Sequence, residues 1–316
     1  MIDPIRQIAD AVLYEGYLLW PYRRSATKNQ KRWTFGGVYP PAHAAVHPDD
    51  PSELKAECLL EAQGEPEVDV RVRFLHVVRR SLRDRAGNVV GELEAAGERY
   101  LAWDEATERE VSVGEIDVPA GRAAEPLPDG AGEMVREWEA VRGNVALALE
   151  PVAENLFKVA TRIENLTPWH GDDREDALRH TFCSTHAVLR TTGGDFVSPT
   201  DPPEQLVDAA AGCENSGLWP VLVGEPGRRD TVLASPIILS DYPEIASESP
   251  GDLFDATEID QLLILNVLGL SDAEREEMRA SDPRARAILE RCASLTPEEL
   301  MRLHGAIRDF RPAVHE

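Results

Sequence analysis

The sequence predicts an α+β fold, in which a helix precedes a mainly antiparallel, sandwich-like β body and a group of short helices follows it. Three observations lead to this prediction: apolar and polar residues alternate between residues 54 and 113, the alternation returns between residues 145 and 163, and helix-start signals replace it after residue 240. A period of two is typical of half-buried strands, whereas capping residues mark helices. Because so many amphipathic strands must bury their apolar faces, at least two packed layers are expected.

The first helix is predicted from about Pro4 to Leu19, where apolar residues recur at helical spacing and Pro21 supplies a stop. The segment WTFGGVY, residues 33–39, is typical of a short strand interrupted by a glycine pair. A proline-rich loop, PPAHAAVHPDDP, follows it and is predicted to lead into the β body.

Strands are predicted through most of the middle of the chain. In the clearest run, Val68, Val70, Val72 and Phe74 alternate with Asp69, Arg71 and Arg73. Residues 118–133 are rich in proline, glycine and alanine and are the candidate internal linker, and MVREWEAV, residues 134–141, is predicted as a short helix. Alternation in residues 145–163 then indicates a hairpin with PVAEN as its turn. Further strands are predicted in RHTFCSTHAVLR, WPVLVG and TVLASPIIL.

Helical signals dominate the last part of the chain. Ser271 and Glu274 have the spacing of a capping box, and Asp282 before a proline is typical of a helix start. The change of pattern predicts two parts. Residues 1–245 are expected to form a β-rich body that includes the first helix and the aromatic and basic segment near it, and residues 246–316 are expected to form a helical tail.

Charge and composition narrow the classes of function. The 316-residue chain has a formal net charge of −24 and 42% hydrophobic residues, so we expect a sizeable core and repulsion of nucleic acid and anionic membranes. No apolar run approaches the roughly 20 residues that cross a membrane, and the start resembles no secretory signal. Four widely spaced cysteines predict no disulfide scaffold. We therefore expect a cytoplasmic protein without nucleic-acid binding or membrane insertion.

The common catalytic motifs are missing from the sequence. It contains no G-x-x-x-x-G-K-[ST], no G-x-G-x-x-G after a predicted strand, no H-E-x-x-H and no G-x-S-x-G. It offers many carboxylates and eight histidines, but no spacing that forces an acid and a base together. The sequence thus favours a protein without catalytic activity, and no cofactor is expected.

Two histidine segments are the candidates for a metal site. His180, Cys183 and His186 are separated by two residues each, and imidazole and thiolate are ligands of zinc, nickel or copper. On a strand both histidines point to one side and the cysteine to the other, so we expect this group not to bind a metal. The second candidate is the proline-rich loop with His43 and His47 beside two aspartates, where solvated polar side chains are the more common outcome.

The opening segment, residues 13–41, is the most distinctive feature of the chain. It holds seven of the 19 aromatic residues, five bases and a single acid, Glu15. Such a mixture can dock on a partner protein, since Tyr, Trp and Arg carry much of the binding energy at interfaces, or it can bind an anion or a nucleic acid. It can also anchor the first helix while its arginines pair with the chain's own carboxylates. The docking hypothesis rests on ten residues: Tyr14, Tyr17, Trp20, Tyr22, Arg23, Arg24, Lys28, Lys31, Arg32 and Trp33.

Three segments together resemble a known group of proteins. They are YEGYLLWPYRRSATKNQKRWTFGGVYP near the start, STHAVLRTTGGDFVSPTDPP in the middle and ATEIDQLLILNVLGLSDAEREEMRASDPRARAILERC near the end. In these segments the chain resembles a family of uncharacterised proteins encoded alongside high-affinity [NiFe] hydrogenases, chiefly in actinobacteria. The resemblance spans nearly the whole chain and brings no assigned catalytic residues with it.

The resemblance implies a context for the protein and no particular reaction. That context is a cytoplasmic accessory protein that binds a partner in the assembly or maturation of a [NiFe] hydrogenase, with hydrogenase subunits as the expected partners. The alternative is a metal-dependent hydrolase or a metal-handling protein built on the histidine segments. Metal analysis of the purified protein separates these two hypotheses.

Overall fold

The computed structural model describes residues 4–19, 22–26, 28–29, 32–33, 35–244 and 260–296. Its helices are α1 (Pro4–Tyr14), α2 (Pro41–Ala44), α3 (Arg174–Leu178), α4 (Val207–Ala211), α5 (Asp260–Leu268), α6 (Asp272–Ser281) and α7 (Pro283–Ser294). Its strands are β1 (Glu53–Asp84), β2 (Val89–Val90), β3 (Glu92–Ala95), β4 (Glu98–Leu101), β5 (Trp103–Val111), β6 (Gly114–Val118), β7 (Gly121–Pro126), β8 (Gly132–Trp138), β9 (Val141–Ala153), β10 (Leu156–Asn165), β11 (Cys183–Phe196), β12 (Trp219–Leu222) and β13 (Thr231–Ser235). The predicted α+β fold, with a β body, an N-terminal helix and short C-terminal helices, is confirmed.

One long strand organises the β body. β1 has 32 residues and forms hydrogen bonds along both of its edges. One edge pairs first with β10 and then with β5, while the other pairs first with β11 and then with β8, all antiparallel. The main path through this 11-stranded sheet runs β12-β13-β11-β1-β10-β9-β6. Because β1 runs through both halves of the β body, these strands share one hydrogen-bonded sheet.

The middle of β1 separates two cores. Val72 and Phe74 belong to a sheet core, which also contains the inward side chains of β9 to β13. Leu75 and Val77, on the opposite face of the strand, belong to a second cluster, here called the helix core, with side chains from the opening segment and from α5, α6 and α7. Residues 72–78 are therefore all buried, because both faces of the strand are covered.

The helix core brings the two ends of the described chain together. Leu13, Tyr17 and Trp33 lie in it with Leu263 and Ile288 from the C-terminal helices. A hydrophobic cluster shared in this way cannot be divided without exposing both sides to water. The predicted helical tail thus shares its core with the predicted β-rich body.

The first helix is shorter than predicted. α1 ends at Tyr14, whereas the sequence predicts helix as far as Leu19. Residues 15–17 form a turn in which Gly16 has a φ of 73°, a conformation that glycine adopts without the steric cost of a Cβ atom. The turn directs the following residues into the helix core, which they enter without helical structure.

The region between residues 118 and 141 also differs from its prediction. The predicted helix at residues 134–141 is wrong, because most of that segment is the strand β8. β8 pairs with the end of β1 on one edge and with β7 on the other, and this pairing outweighs the helical propensity of the segment. The candidate linker at residues 118–133 contains β7 and its turn to β8, so these residues extend the sheet.

The predicted helix starts at Ser271 and Asp282 are confirmed. Ser271 Oγ accepts a hydrogen bond from the Glu274 N–H, and the Glu274 carboxylate accepts one from the Ser271 N–H, which completes the capping box of α6. The Asp282 carboxylate accepts a hydrogen bond from the Arg284 N–H at 2.8 Å at the start of α7. Each cap satisfies main-chain N–H groups that have no partner inside their helix.

We expect Ser271→Ala to lower the free energy of unfolding by about 1 kcal/mol, because the variant loses the side-chain acceptor at the start of α6. Urea unfolding of the variant and the parent measures the difference. Ser271→Asp is the matched control, since an aspartate can accept the same hydrogen bond. An equal loss of stability in both variants would contradict the capping role.

Candidate functional site

The structure places half of the residues in the docking hypothesis inside the molecule. The buried ones are Tyr14, Tyr17, Tyr22, Arg32 and Trp33. A side chain enclosed in the folded chain cannot contact a partner, so for these five the structure replaces docking with internal packing. Trp20 and Lys31 lie outside the described residues.

The remaining three bases differ in their surroundings. Arg23 forms an ion pair with Glu274, with Nη1 and Oε1 2.8 Å apart, and only 23% of its side chain is exposed. It is therefore a partner for one of the chain's own carboxylates. Arg24 and Lys28 are exposed, so their role in docking stays a prediction.

A buried asparagine holds the loop that carries these bases. The Asn29 side chain accepts a hydrogen bond from the Leu19 N–H at 2.7 Å and donates to the Leu19 and Arg23 carbonyl oxygens at 3.0 and 2.9 Å. Further along, the Trp33 N–H donates to the Gly16 carbonyl oxygen at 2.9 Å. The loop is thus closed at two points, and its far end lies against the turn that follows α1.

Tyr17 links the opening segment to the C-terminal helices. Its hydroxyl donates a hydrogen bond to Asp282 Oδ2 at 2.7 Å, and its ring is fully buried. The ring stands edge-on to Tyr14, with ring centroids 5.6 Å apart. Burial, followed by the charge of Asp282, raises the pKa of Tyr17 well above its usual value, so the hydroxyl keeps its proton and remains a donor.

Arg32 lies between two indole rings. Its guanidinium carbon is 4.2 Å from the Trp33 ring centroid and 3.9 Å from that of Trp103, which is cation–π geometry on both sides. Arg32 Nη2 donates a hydrogen bond to the Asp104 carbonyl oxygen at 2.8 Å. Burial lowers the pKa of Arg32, but an arginine starts so high that it stays charged at neutral pH. The site therefore holds a fixed positive charge against aromatic walls.

A cavity of about 500 Å³ lies beside this stack. It is lined by Arg24, Asn29, Arg32, Trp33, Val77, Arg79, Arg80, Ser81, Ala102, Trp103, Asp104, Glu175 and Leu178. Three buried donors on its lining residues have no hydrogen-bond partner in the described structure: Arg32 Nη1, Trp33 Nε1 and Trp103 Nε1. Buried donors in proteins are normally paired, so these three, each closed to solvent, are exceptions within the described residues.

The other two central cations of the cavity wall already have acceptors. Arg79 Nη2 donates to a Glu137 carboxylate oxygen at 3.0 Å. Arg80 Nη2 donates to the Ser281 carbonyl oxygen at 2.8 Å, at the C-terminal end of α6, where a positive charge is favourable. Of these three arginines, Arg32 is the one with a buried guanidinium nitrogen, Nη1, that has no hydrogen-bond partner in the described structure.

The first histidine segment does not converge on one point. Cys183 belongs to the helix core, His186 is fully buried opposite Arg73 in the pairing of β1 with β11, and His180 Nδ1 lies 3.4 Å from the Ala140 carbonyl oxygen. Burial, together with the charge of Arg73, lowers the pKa of His186 to about 3. Burial raises the pKa of Cys183 to about 12. At neutral pH both groups are uncharged and enclosed.

The second histidine segment forms a small stacked cluster. His43 Nε2 lies 2.8 Å from Asp50 Oδ2, and the His43 ring stacks on Tyr39 with centroids 4.9 Å apart. The centroid of the His47 ring lies 4.3 Å from that of the His43 ring. These contacts hold the loop around α2 against the body. Within the described residues, no three His, Cys, Asp or Glu side chains are grouped so as to hold a metal ion.

Sequence reasoning missed Trp103, Arg79 and Arg80 as site residues. Trp103 falls in the predicted strand ERYLAW, and no local pattern connects it with Arg32. Arg79 and Arg80 directly follow a buried run of β1. Two adjacent charges where a strand is otherwise buried are a signal that could have pointed to a polar site.

The comparisons with protein families and with curated proteins identify no relative. No protein-family model matches this chain, and the search of curated proteins found none that matches it. In the part of the chain that the structure describes, no helix is both long and apolar enough to cross a membrane. A function is thus inferred from the cavity, from the exposed bases near it and from the three segments that resemble a family.

Proposed function

We propose that this protein is a cytoplasmic, non-catalytic accessory protein that binds a partner protein in the assembly or maturation of a [NiFe] hydrogenase. The hydrogenase context comes from the resemblance of the three segments. The structural support for binding is the docking face, defined as Arg24, Lys28 and the mouth of the cavity beside Arg32. There, the exposed Arg24 lines the pocket, and arginine is among the residues that carry much of the binding energy at interfaces.

The charge distribution favours an acidic partner segment. The chain as a whole carries a net charge of −24, yet its opening segment contains five bases and one acid, and two of these bases, Arg24 and Lys28, are exposed in the described structure. A positive patch on an acidic protein attracts acidic groups and speeds their association. Exposed charges contribute only about 0–1 kcal/mol to folding stability. Replacing them therefore tests their role in binding with little effect on folding.

We expect the double variant Arg24→Glu, Lys28→Glu to lose co-purification with hydrogenase subunits from the native host. Its melting temperature is expected to stay within a few degrees of the parent's, because both side chains are exposed. Raised salt is also expected to weaken the complex between the unsubstituted protein and its partner, because ions screen exposed charges.

The matched control is the double variant Arg142→Glu, Arg228→Glu, which reverses the charge of two exposed arginines elsewhere on the surface. It is expected to co-purify with the partner as the parent does. Retention of the partner by the Arg24→Glu, Lys28→Glu protein would contradict the docking role. A large fall in its melting temperature would show that these bases stabilise the fold, as the ion pair of Arg23 does. Loss of the partner by both double variants would assign the effect to net charge.

A further inference from the structure

One edge of the large sheet has no strand beside it in the described structure. β9 pairs with β10 along its whole length, whereas β6 covers the other edge of β9 only from Val141 to Val145. The next residues, 146–150, have the sequence ALALE and are called the open edge here. Among the described residues, none forms a main-chain hydrogen bond with its outer side. We propose that the open edge binds an extended segment of a partner protein as an additional strand.

The hydrogen-bond pattern of β9 fixes which main-chain groups point outwards. The Arg142 carbonyl oxygen accepts a hydrogen bond from the Leu166 N–H at 2.8 Å, and the Arg142 N–H donates to Thr167 Oγ1 at 2.9 Å, on the β10 side. Successive residues of a strand present their main-chain groups to opposite edges. The even-numbered residues of β9 therefore bond to β10, and the N–H and carbonyl groups of Leu147 and Leu149 point outwards. Such groups are a template for a further strand.

The strand at the other end of the sheet path is protected, whereas the open edge is not. At β12 the Leu222 N–H donates to Asp241 Oδ1 at 2.8 Å, and the Leu222 carbonyl oxygen accepts from the Tyr242 N–H at 2.7 Å. Proteins usually cover an edge strand in this way or place charges and prolines on it. Residues 145–149, VALAL, contain neither, and Leu149 is 37% exposed. An apolar edge without protection is therefore suited to pairing with another chain.

The two faces of the open edge specify the side chains of the bound segment. Val145 lies in the sheet core and Leu147 packs against it, so Leu149 continues this apolar face towards solvent. The other face presents only the small side chains of Ala146 and Ala148 before Glu150. A strand paired with the open edge places every second side chain beside the two leucines. The bound segment therefore has apolar residues at alternate positions.

Charge favours a basic partner segment over a second copy of this chain. β6, β9, β10 and the turn at residues 154–155 carry five acids and three bases. All three bases form ion pairs within the chain, whereas the exposed Glu115 and Glu154 form none with a described residue. Two copies of a chain with a net charge of −24 repel each other. A second β9, antiparallel and centred on the open edge, would also bring its Pro151 beside Val145, where β6 already lies.

A short peptide in which valine and threonine alternate between terminal lysines is the probe for this site. Titrated into the full-length protein at pH 7, the labelled peptide is expected to show saturable binding by fluorescence anisotropy. In the complex, the amide protons of Leu147 and Leu149 are expected to exchange more slowly with solvent, because they gain acceptors.

N-methylated forms of the peptide test whether binding occurs by strand pairing. With the valines beside Leu147 and Leu149, the valine N–H groups face β9 and the threonine N–H groups face away from it. N-methylation of the valines is therefore expected to weaken binding at least about tenfold. N-methylation of the threonines is the matched control and is expected to leave binding unchanged.

Leu149→Pro is the decisive variant of the protein, because proline lacks the outward N–H group while the bonds to β10 remain. We expect it to weaken peptide binding at least about tenfold. Leu149→Lys places a charge on the edge that repels the peptide's lysines, and it keeps the test where the proline variant fails to fold. Ile238→Lys makes the same change at a 75% exposed residue after β13 and is expected to bind as the parent does.

Three results would overturn the strand-binding site: no binding of the peptide, equal affinity for its two N-methylated forms, or an affinity unchanged by both Leu149 variants. Slow exchange of the Leu147 and Leu149 amide protons before the peptide is added would show that the edge is already paired, and would also reject the site. A dimer that Leu149→Lys converts to monomers would assign the edge to a second copy instead of a partner.

The open edge is independent of the docking face that carries the proposed function. The double variant Arg24→Glu, Lys28→Glu changes no residue of the open edge and is expected to bind the peptide as the parent does. Peptide binding without hydrogenase co-purification would therefore keep this site and reject the proposed function, whereas the reverse result would reject this site alone.

Discussion

Replacing Tyr17 with alanine is expected to lower the free energy of unfolding by about 3–5 kcal/mol, the usual range for truncating a buried aromatic side chain. Its ring is fully buried in the helix core, and its hydroxyl bonds to Asp282 at 2.7 Å. The variant leaves a cavity where the opening segment meets α7, and it leaves Asp282, itself 2% exposed, without that donor. Urea unfolding followed by circular dichroism measures the loss.

Two further variants separate the contributions of the ring and the hydroxyl. Tyr17→Phe keeps the ring and is expected to cost about 1–3 kcal/mol, because a buried carboxylate loses a donor. Phe35→Ala, at an aromatic residue of the same segment that is 39% exposed, is the control and is expected to cost less than Tyr17→Ala. If Tyr17→Phe costs the same in an Asp282→Asn background as in the parent, the two side chains are not coupled.

Mild acid is expected to destabilise the protein, because two histidines are buried in their neutral form. His76 and His186 are both 0% exposed. Burial, followed by the charge of Arg109, lowers the pKa of His76 to about 4, and burial, followed by the charge of Arg73, lowers that of His186 to about 3. In the unfolded chain a histidine has a pKa of about 6.5.

The sign of the effect follows from proton binding. Between about pH 6.5 and pH 4 the unfolded chain takes up protons at these two residues and the native chain does not, so the free energy of unfolding falls as pH falls. Each unit of pKa difference corresponds to about 1.4 kcal/mol per histidine, which amounts to several kcal/mol near pH 4. Below about pH 3 both states are protonated and this loss is complete. The pKa of the Glu57 carboxyl is lowered in the folded chain. Its protonation therefore reduces the free energy of unfolding further at lower pH.

Urea unfolding at pH 7.5, 6.0 and 5.0 measures this dependence. His186→Gln is expected to flatten the slope between pH 6.5 and 5, even though the substitution itself costs stability. His47→Gln removes an exposed histidine and is expected to keep the parent's slope. A free energy of unfolding that does not change between pH 7.5 and 5.0 would contradict the prediction.

The sequence by itself determined the type of the main elements. Alternation from Val68 to Phe74 and from residue 145 to 163 specified strands, because a half-buried strand must turn every second side chain towards a core. Ser271 and Asp282 specified helix starts, since their side chains satisfy nearby main-chain N–H groups. Each of these signals acts over a few residues and is therefore readable without knowledge of the rest of the chain.

Only the tertiary structure decided which residues of the opening segment are buried and which are exposed. Aromatic and basic residues suit a docking surface and a core equally well, and the C-terminal helices covered Tyr17 and Trp33 while Arg24 stayed exposed. The segment at residues 134–141 became largely strand because β1 is long enough to pair with it. Trp103 meets Arg32 because the sheet packs against the opening segment. Contacts between residues so distant in sequence depend on how whole elements pack, which no local pattern encodes.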